Sequence, residues 1–513
     1  MPFPNSDMDF SACPFPPTAH QQIGVAKLLR DPYVFLTDEP GAGKSKQVID
    51  AAQILFQQAI IKRVVIVAPA SVKPVWWDTE LGQLRAHCWE TLGHHITHFH
   101  RTPKAWCLGP QDDPLRWIVT NYEYIRTGFQ SRSRHIPDRL TTLLNLCDDQ
   151  TLLVLDESSA IKTSRAYQTR ACRHLRSRCG RVVLLTGTPI AHSPLDLLSQ
   201  GNMLHPSILS DRADAPCTLV QYRQRYAVMG GFKGKEILQW HNLEDLQSRF
   251  KPHTLRRLKK DCLDLPPKLD SVPLTAALSG ATWKLYKTMR DEMIVALEDA
   301  DTVSVALQAI TKLMRLSQIT SGFLGGIEAM DGTPRPTQEL GSEKRDLVVD
   351  WYRELLASDP QLKLLIWSRF RHECQQLHEA ITATQTATVG LLWGGSPAAE
   401  RTATLRLLHP DTAPAGPAVI IGTPSTGSMG INLTAAHHVI YMSNAHSLNT
   451  RVQSEDRTHR PGQRHPVSYY DVMATGPDGQ KTIDHIILSA LRSKRTLADW
   501  TADAWIDALK RTQ

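Results

Sequence analysis

The chain has 513 residues, ample for two or three domains whose cores need no disulfide staples, and its 58 Lys and Arg against 51 Asp and Glu leave a net charge of +7, a mild bias toward a polyanionic partner. Nine scattered cysteines with no C-x-x-C pair argue against a zinc ribbon and against a secreted framework, and predict reduced thiols. The opening MPFPNSDMDFSACPFPP has no basic or apolar leader character, and no run approaches the roughly 18 apolar residues of a membrane helix, so a soluble, cytoplasmic protein is expected.

In chain order, short apolar runs rich in β-branched residues come first: YVFLTDE (33 to 39), RVVIVAPA (63 to 70), RWIVTNYE (116 to 123), TLLVLDES (151 to 158) and RVVLLTGTP (181 to 189). Their length predicts buried parallel strands, and helix-length segments such as KQVIDAAQILFQQAI (46 to 60) lie between them. From 203 to 340 the texture changes to longer amphipathic segments, DLQSRFKPHTLRRLKKDCL (245 to 263) and ATWKLYKTMRDEMIVALEDA (281 to 300), which predict a mostly helical insertion and linker. Strand-like runs return at KLLIWSRF (363 to 370), TATVGLLWG (386 to 394), PAVIIGTP (417 to 424), HHVIYMS (437 to 443) and VSYYDVMA (467 to 474). The expected fold is therefore α/β, with a tail at 1–14, a doubly wound parallel-sheet lobe at 15–202, the helical insertion, a second such lobe at 341–495 and a helical tail at 496–513.

Within the first lobe, TDEPGAGKSK (37 to 46) joins a strand to a helix. Two readings stand: a glycine turn that happens to precede a lysine, or a phosphate-cradling loop whose usual first glycine is replaced by Asp38. In the second, backbone N–H groups and the helix N-terminus face an anion, Lys44 meets the β- and γ-phosphates, and the Ser45 hydroxyl holds Mg²⁺. LLVLDE offers the complementary part, a strand ending in Asp156 to orient the ion through water and Glu157 to polarise the attacking water; alone, such a pair is also an ordinary solvated strand end. In QSEDRTHRPGQ (453 to 463), Arg457 and Arg460 are three apart, so on a helix they share a face. That face is either a basic surface or a pair of guanidinium groups directed at a γ-phosphate across an interlobe cleft.

Taken together, Gln21 in HQQIGV, DEPGAGKS, VAPASVKPVWWDTE, VTNYE, LDESSAIK, LTGTP, LLIWSRF, STGSMGINLT and QSEDRTHRPGQ stand in an order that resembles the motor motifs of the SWI/SNF-type DNA-dependent ATPases of helicase superfamily two, from about residue 15 to about 495. In that family the loop begins with D-E, and LRRLKKDCLDLPPK (255 to 268) and GGSPAAER (394 to 401) resemble two further family segments. The resemblance implies two RecA-like lobes, ATP and Mg²⁺. It implies an adenine-reading Gln21, nucleotide contacts from Asp38, Gly41, Gly43, Lys44, Ser45 and Gly430, and catalysis by Lys44, Asp156, Glu157, Gln453, Arg457 and Arg460, with Ser45 and Asp156 at the metal. It further implies coupling through Thr186, Gly187 and Thr188, close backbone approach at Gly427, Gly430 and Asn432, and nucleic-acid contacts at Ser71, Lys73, Trp76, Asn121, Tyr122, Ser368, Arg369 and Thr426. Asp156-Glu157-Ser158-Ser159 departs from the family's D-E-A/G-H box, which leaves the histidine's coupling role open.

The run Arg256, Arg257, Lys259 and Lys260 reads either as part of that resemblance or as the polar face of an amphipathic helix. His94, His95, His98 and His100 in GHHITHFH have no carboxylate or cysteine beside them to complete a metal set. The function expected is an ATP-driven translocase on double-stranded or branched DNA, a bare, monomeric motor of bacterial or viral type. The alternatives are a strand-separating helicase, a binding scaffold with a degenerate site, and the motor subunit of a restriction or recombination assembly, in which a partner protein supplies the nuclease.

Overall fold

The computed structural model describes residues 9 to 498, apart from residues 71, 81, 131–134, 191–192, 213–214, 232–235, 299–312, 326–336, 395 and 427–430. The chain divides into two compact units that meet in sequence between Asp264 and Leu265.

In the first unit the strands are β1 (Tyr33–Leu36), β2 (Arg63–Ala68), β3 (His94–His98), β4 (Lys104–Leu108), β5 (Leu115–Asn121), β6 (Thr151–Leu155), β7 (Arg181–Leu185), a hairpin of β8 (Ala227–Gly230) and β9 (Glu236–Trp240), and β10 (Thr254–Leu255). Eight of them form one sheet in the order β10-β1-β7-β6-β2-β5-β3-β4, parallel throughout except for the antiparallel pair β3 and β4. Successive side chains of a strand point to opposite faces, and both faces here are covered. Phe35, Val65, Val67, Leu153 and Leu155 pack into one core layer, whereas Val34, Leu36, Val64, Ile66, Leu152 and Val154 pack into the other. The second layer includes the helix Lys44–Gln57, in which every residue from Lys46 to Leu55 is buried. Phe10, Ala12 and Cys13 join this layer, so the expected N-terminal tail is packed from residue 10 onward.

The second unit carries β11 (Val272–Ala277), β12 (Phe323–Leu324), β13 (Gln338–Glu339), β14 (Lys363–Trp367), β15 (Thr388–Leu392), β16 (Ala418–Gly422), β17 (His438–Tyr441) and β18 (Ser468–Thr475). Its main sheet, in the order β11-β18-β17-β14-β16-β15, is parallel throughout. Each expected strand run is thus a strand, and the two α/β lobes are present.

The stretch expected as a separate helical insertion, 203–340, is shared between the units. Its β10 adds to the edge of the first sheet and its β11 to the edge of the second. The helix expected over 245–263 stops at Phe250, gives way to β10, and resumes only as the short turn Lys259–Cys262. Helix Gly280–Glu298 forms as its amphipathic pattern implies. All nine cysteines are free. Among the described residues no helix is long and apolar enough to cross a membrane and no cluster of three metal-ligating side chains occurs.

Candidate nucleotide site

The C-terminal ends of β1, β7 and β6, neighbours in the first sheet, carry the glycine-rich loop, the Thr186-Gly187-Thr188 turn and the acidic pair. In the loop Gly41 and Gly43 adopt φ of 82° and 78°, the left-handed region that favours glycine. A Cβ on Gly43 would also collide with the Gln21 amide. Gly43 caps the helix that Lys44 and Ser45 open, so the helix N-terminus and the positive end of its dipole lie at the loop. His20 anchors the turn through its Nε2, 3.0 Å from the Ala42 carbonyl. Lys44 Nζ donates to the carbonyls of Asp38 (2.7 Å) and Glu39 (3.1 Å). A cradle built from glycines at positive φ, a helix N-terminus and a lysine held at the rim fits a polyphosphate.

Asp156 is fixed on four sides. Its N–H donates to Val67 O (2.9 Å), its carbonyl accepts from Tyr122 Oη (2.8 Å), Oδ1 accepts from Glu157 N (2.8 Å) and Oδ2 from Trp76 Nε1 (2.7 Å). Burial pushes its carboxyl above the usual carboxylate range, while the donors Trp76 and Glu157 N and the charge of Lys44 pull the other way. Each oxygen keeps lone-pair capacity beyond its one donor, so this donor set, with the Ser45 hydroxyl, fits a hydrated divalent cation. Glu157 takes φ 47° and ψ 55°, a left-handed conformation that costs a non-glycine residue about 1–2 kcal/mol and re-aims its side chain where the strand ends. The departure Ser158 is buried and donates to Gln200 Oε1 (2.9 Å), and Gln200 Nε2 donates in turn to Pro189 O (2.9 Å). This links the acidic pair to the end of the LTGTP turn. Within that turn Thr186 Oγ1 accepts from Thr188 N (3.1 Å), and Gly187 lies against Pro40 of the loop with no room for a side chain.

Several expected contacts are corrected by burial. Trp76 and Tyr122, expected to face nucleic acid, are buried under Asp156 as its donors. Ser368 is enclosed between Glu373 and Ser443, Thr426 is buried against Thr423, and Asn121 donates to Glu123. These polar side chains follow strands whose ends fold back into the protein rather than lying open. Lys73 is half-buried, and its ammonium is held below the usual range by burial, with Glu123 opposing. Arg369 is likewise lowered by burial, with Glu373 opposing. The Asp38 carboxylate, expected at the nucleotide, is fully buried and turned to Arg257 and Gln47; it is the Asp38 carbonyl that meets Lys44. Gln21 Oε1 accepts from Thr18 N (3.0 Å) as part of a capping box.

In the second unit, the helix Leu448–Glu455 carries Gln453 but ends before Arg457 and Arg460, so the two arginines occupy following turns rather than one helical face. Arg457 Nε donates to Gln453 O (3.0 Å) and Arg460 Nη1 to Ile431 O (3.2 Å). Beneath them lies a buried network missed by sequence reasoning: Arg451 pairs with Asp471 and Glu455 and stacks over Tyr441, 3.5 Å from its ring centre. Ser71, Gly427 and Gly430 lie outside the described residues.

A glycine-rich phosphate cradle and a strand-end acidic pair on parallel α/β units define a nucleotide-hydrolysing class of protein. The chain belongs to the SNF2-related domain family, which matches residues 21–321, and is followed by a match to the helicase conserved C-terminal domain over 347–462, so the resemblance read from the motifs holds. It is 25% identical over 501 residues to the DNA excision repair protein ERCC-6 of Mus musculus, covering 90% of this chain and 31% of that protein. It is 24% identical over 508 residues to the DNA annealing helicase and endonuclease ZRANB3 of Mus musculus, covering 95% of this chain and 41% of that protein. The chain therefore spans less than half the length of these curated relatives. A solved structure of the Sulfolobus solfataricus SWI2/SNF2 ATPase core in complex with dsDNA aligns over 96% of this chain and 95% of that one, at 20% identity and a TM-score of 0.40.

Proposed function

We propose that ATP hydrolysis by this chain drives its movement along double-stranded DNA. The chain is a DNA-dependent ATPase of the SNF2-related family, and the observation that carries the catalytic reading is Asp156, held from four directions beside the left-handed Glu157 and within the electrostatic reach of Lys44. The backbone N–H groups at the helix N-terminus, from Gly43 to Ser45, and the Lys44 ammonium bind the phosphates. Asp156 and Ser45 hold Mg²⁺, which when bound neutralises charge on the phosphate oxygens. Glu157 accepts the proton of the attacking water. Gln21 meets the base, Gly430 and Gln453 belong to the nucleotide site, and Arg457 and Arg460 stabilise transition-state charge. Thr186, Gly187 and Thr188 carry the state of the site onward through Pro40 and Gln200. Lys73 and Arg369, with Ser71, are the retained candidates for phosphate contacts on the tracked strand, which carry no sequence information.

The test compares ATPase rate without nucleic acid and with single-stranded, duplex and branched DNA, and adds a triplex-displacement assay. A duplex translocase is stimulated by duplex, displaces the third strand while consuming ATP, and leaves a plain forked duplex paired. Unwinding of the fork without triplex displacement replaces this reading with that of a strand-separating helicase.

A further inference from the structure

Residues 254–259 run alongside the entrance of the glycine-rich loop and are fastened to it residue by residue. Thr37 donates to the Leu255 carbonyl through its N–H (2.8 Å) and its hydroxyl (3.2 Å), and Glu39 N donates to Arg257 O (3.1 Å). Arg256 Nη1 returns a bond to Thr37 O (3.0 Å) and reaches Gly187 O (3.3 Å) in the coupling turn. Arg257 grips the Asp38 carboxylate with Nε (3.0 Å) and Nη2, while also donating to Gln47 Oε1 (2.8 Å) and to His20 O. Lys259 N donates to the Glu39 carboxylate (2.6 Å). The chain then leaves the first unit at Asp264 and enters the second at Leu265.

We propose that residues 254–259 form a connector that senses the nucleotide state of the loop and passes it into the chain entering the second unit, with Arg257 as its positioning residue. This rests on the reading of the loop as the ATP site. The physical case lies in Asp38 and Glu39, which are held from two directions. Their carbonyls are bonded by Lys44, and their side chains by the connector. A phosphate competes for the Lys44 ammonium with charge-assisted hydrogen bonds stronger than those a neutral carbonyl accepts. As Lys44 turns to phosphate, the carbonyls of residues 38 and 39 lose its hold, and the position of these residues passes to the connector. Because the Asp38 side chain is fully buried, its bidentate pairing with Arg257 is little screened by solvent, and any shift of the loop is imposed on the guanidinium. An edge strand present only to complete the sheet needs the backbone bonds of Leu255 but not this side-chain grip.

Amide hydrogen exchange on the full chain tests the proposal, comparing peptides that cover 33–45 and 254–264 with and without a non-hydrolysable ATP analogue and Mg²⁺, while a fluorescent analogue measures binding separately. In the wild type the analogue should change exchange in both peptides. In Arg257→Ala it should still bind and still change 33–45, but the response at 254–264 should vanish; Arg257→Lys, which keeps the charge without the fork, should restore part of it. Asp38→Asn, close in shape and lacking the charge, should lose the same response and serves if Arg257→Ala does not fold. A silent 254–264 in nucleotide-bound wild type, or an undiminished response there in Arg257→Ala, overturns the connector alone. Failure of the wild type to bind the analogue overturns the ATP-site reading, and the connector with it.

Discussion

Trp76 donates its indole N–H to the buried carboxylate of Asp156 across 2.7 Å, from the short helix Lys73–Trp77 that follows β2. Trp76→Phe keeps the apolar volume and removes the donor. Outer-shell partners of metal-binding carboxylates typically matter by about 10–100-fold, and ATP turnover should fall by that order. Burial already raises the Asp156 pKa in the metal-free chain and this hydrogen bond opposes the rise, so its loss weakens the carboxylate form that would hold the ion. Turnover of Trp76→Phe at the wild-type rate removes Trp76 from this role.

Glu157→Gln preserves size and removes the proton acceptor. ATP binding should persist while turnover drops by about 10²-fold or more. Equilibrium binding and single-turnover hydrolysis, measured on the same preparation, decide it; hydrolysis at the wild-type rate rejects the assignment.

Arg460→Ala should leave nucleotide affinity within a few-fold yet lose on the order of 10³ in kcat, because a transition-state contact contributes little to ground-state binding. Since Arg457 and Arg460 sit on turns with different backbone anchors, the two alanine variants should differ in severity rather than behave as equivalent members of one face. If both hydrolyse ATP normally, these arginines only hold the turns of their own unit together.

His94 is fully buried in β3. Its Nε2 lies 3.1 Å from the Trp89 carbonyl, and its Nδ1 accepts from Trp117 Nε1 at 3.1 Å, which defines a neutral ring. Burial lowers its pKa from 6.5 to about 4. The unfolded chain therefore binds this proton first as pH falls, so stability contributed by neutral His94 is complete above pH 6.5 and declines between 6.5 and about 4. Unfolding midpoints across that interval should fall with acid in the wild type, and the slope should be shallower in His94→Gln. Equal slopes would assign the acid sensitivity to other groups.

The parts of the fold that were legible in sequence are those with both faces buried. RVVIVA and TLLVL read as strands because each side chain needs apolar neighbours. Strands that escaped notice lie at or next to sheet edges: β3, HHITH, sits beside the edge strand β4, β10 is two residues long at one edge, and β11 at the other sheet's edge contains a proline, so none shows a continuous apolar run. The site divides in the same way. Gly43, Lys44 and the Asp156-Glu157 pair are local patterns, whereas the Trp76–Asp156 bond joins residues 80 apart and the Arg257–Asp38 pair residues 219 apart. Nothing in the neighbourhood of VKPVWW distinguishes a tryptophan that faces nucleic acid from one that braces a carboxylate. Burial decides, and burial is a property of the assembled sheet.

The pairing of β1 also orders events during synthesis. Its neighbours in the sheet are β7 and β10, and Thr37 finds its partner Leu255 only 218 residues later. At a ribosomal pace of about 5–20 residues per second, that interval is on the order of ten to forty seconds. Through it the nascent YVFL segment lacks one edge partner, and the Asp38 carboxylate awaits the guanidinium that will neutralise it. The glycine-rich loop, made well before its partner, is thus among the last parts of its lobe to be completed, and a chain interrupted before residue 257 leaves both that edge and that charge exposed.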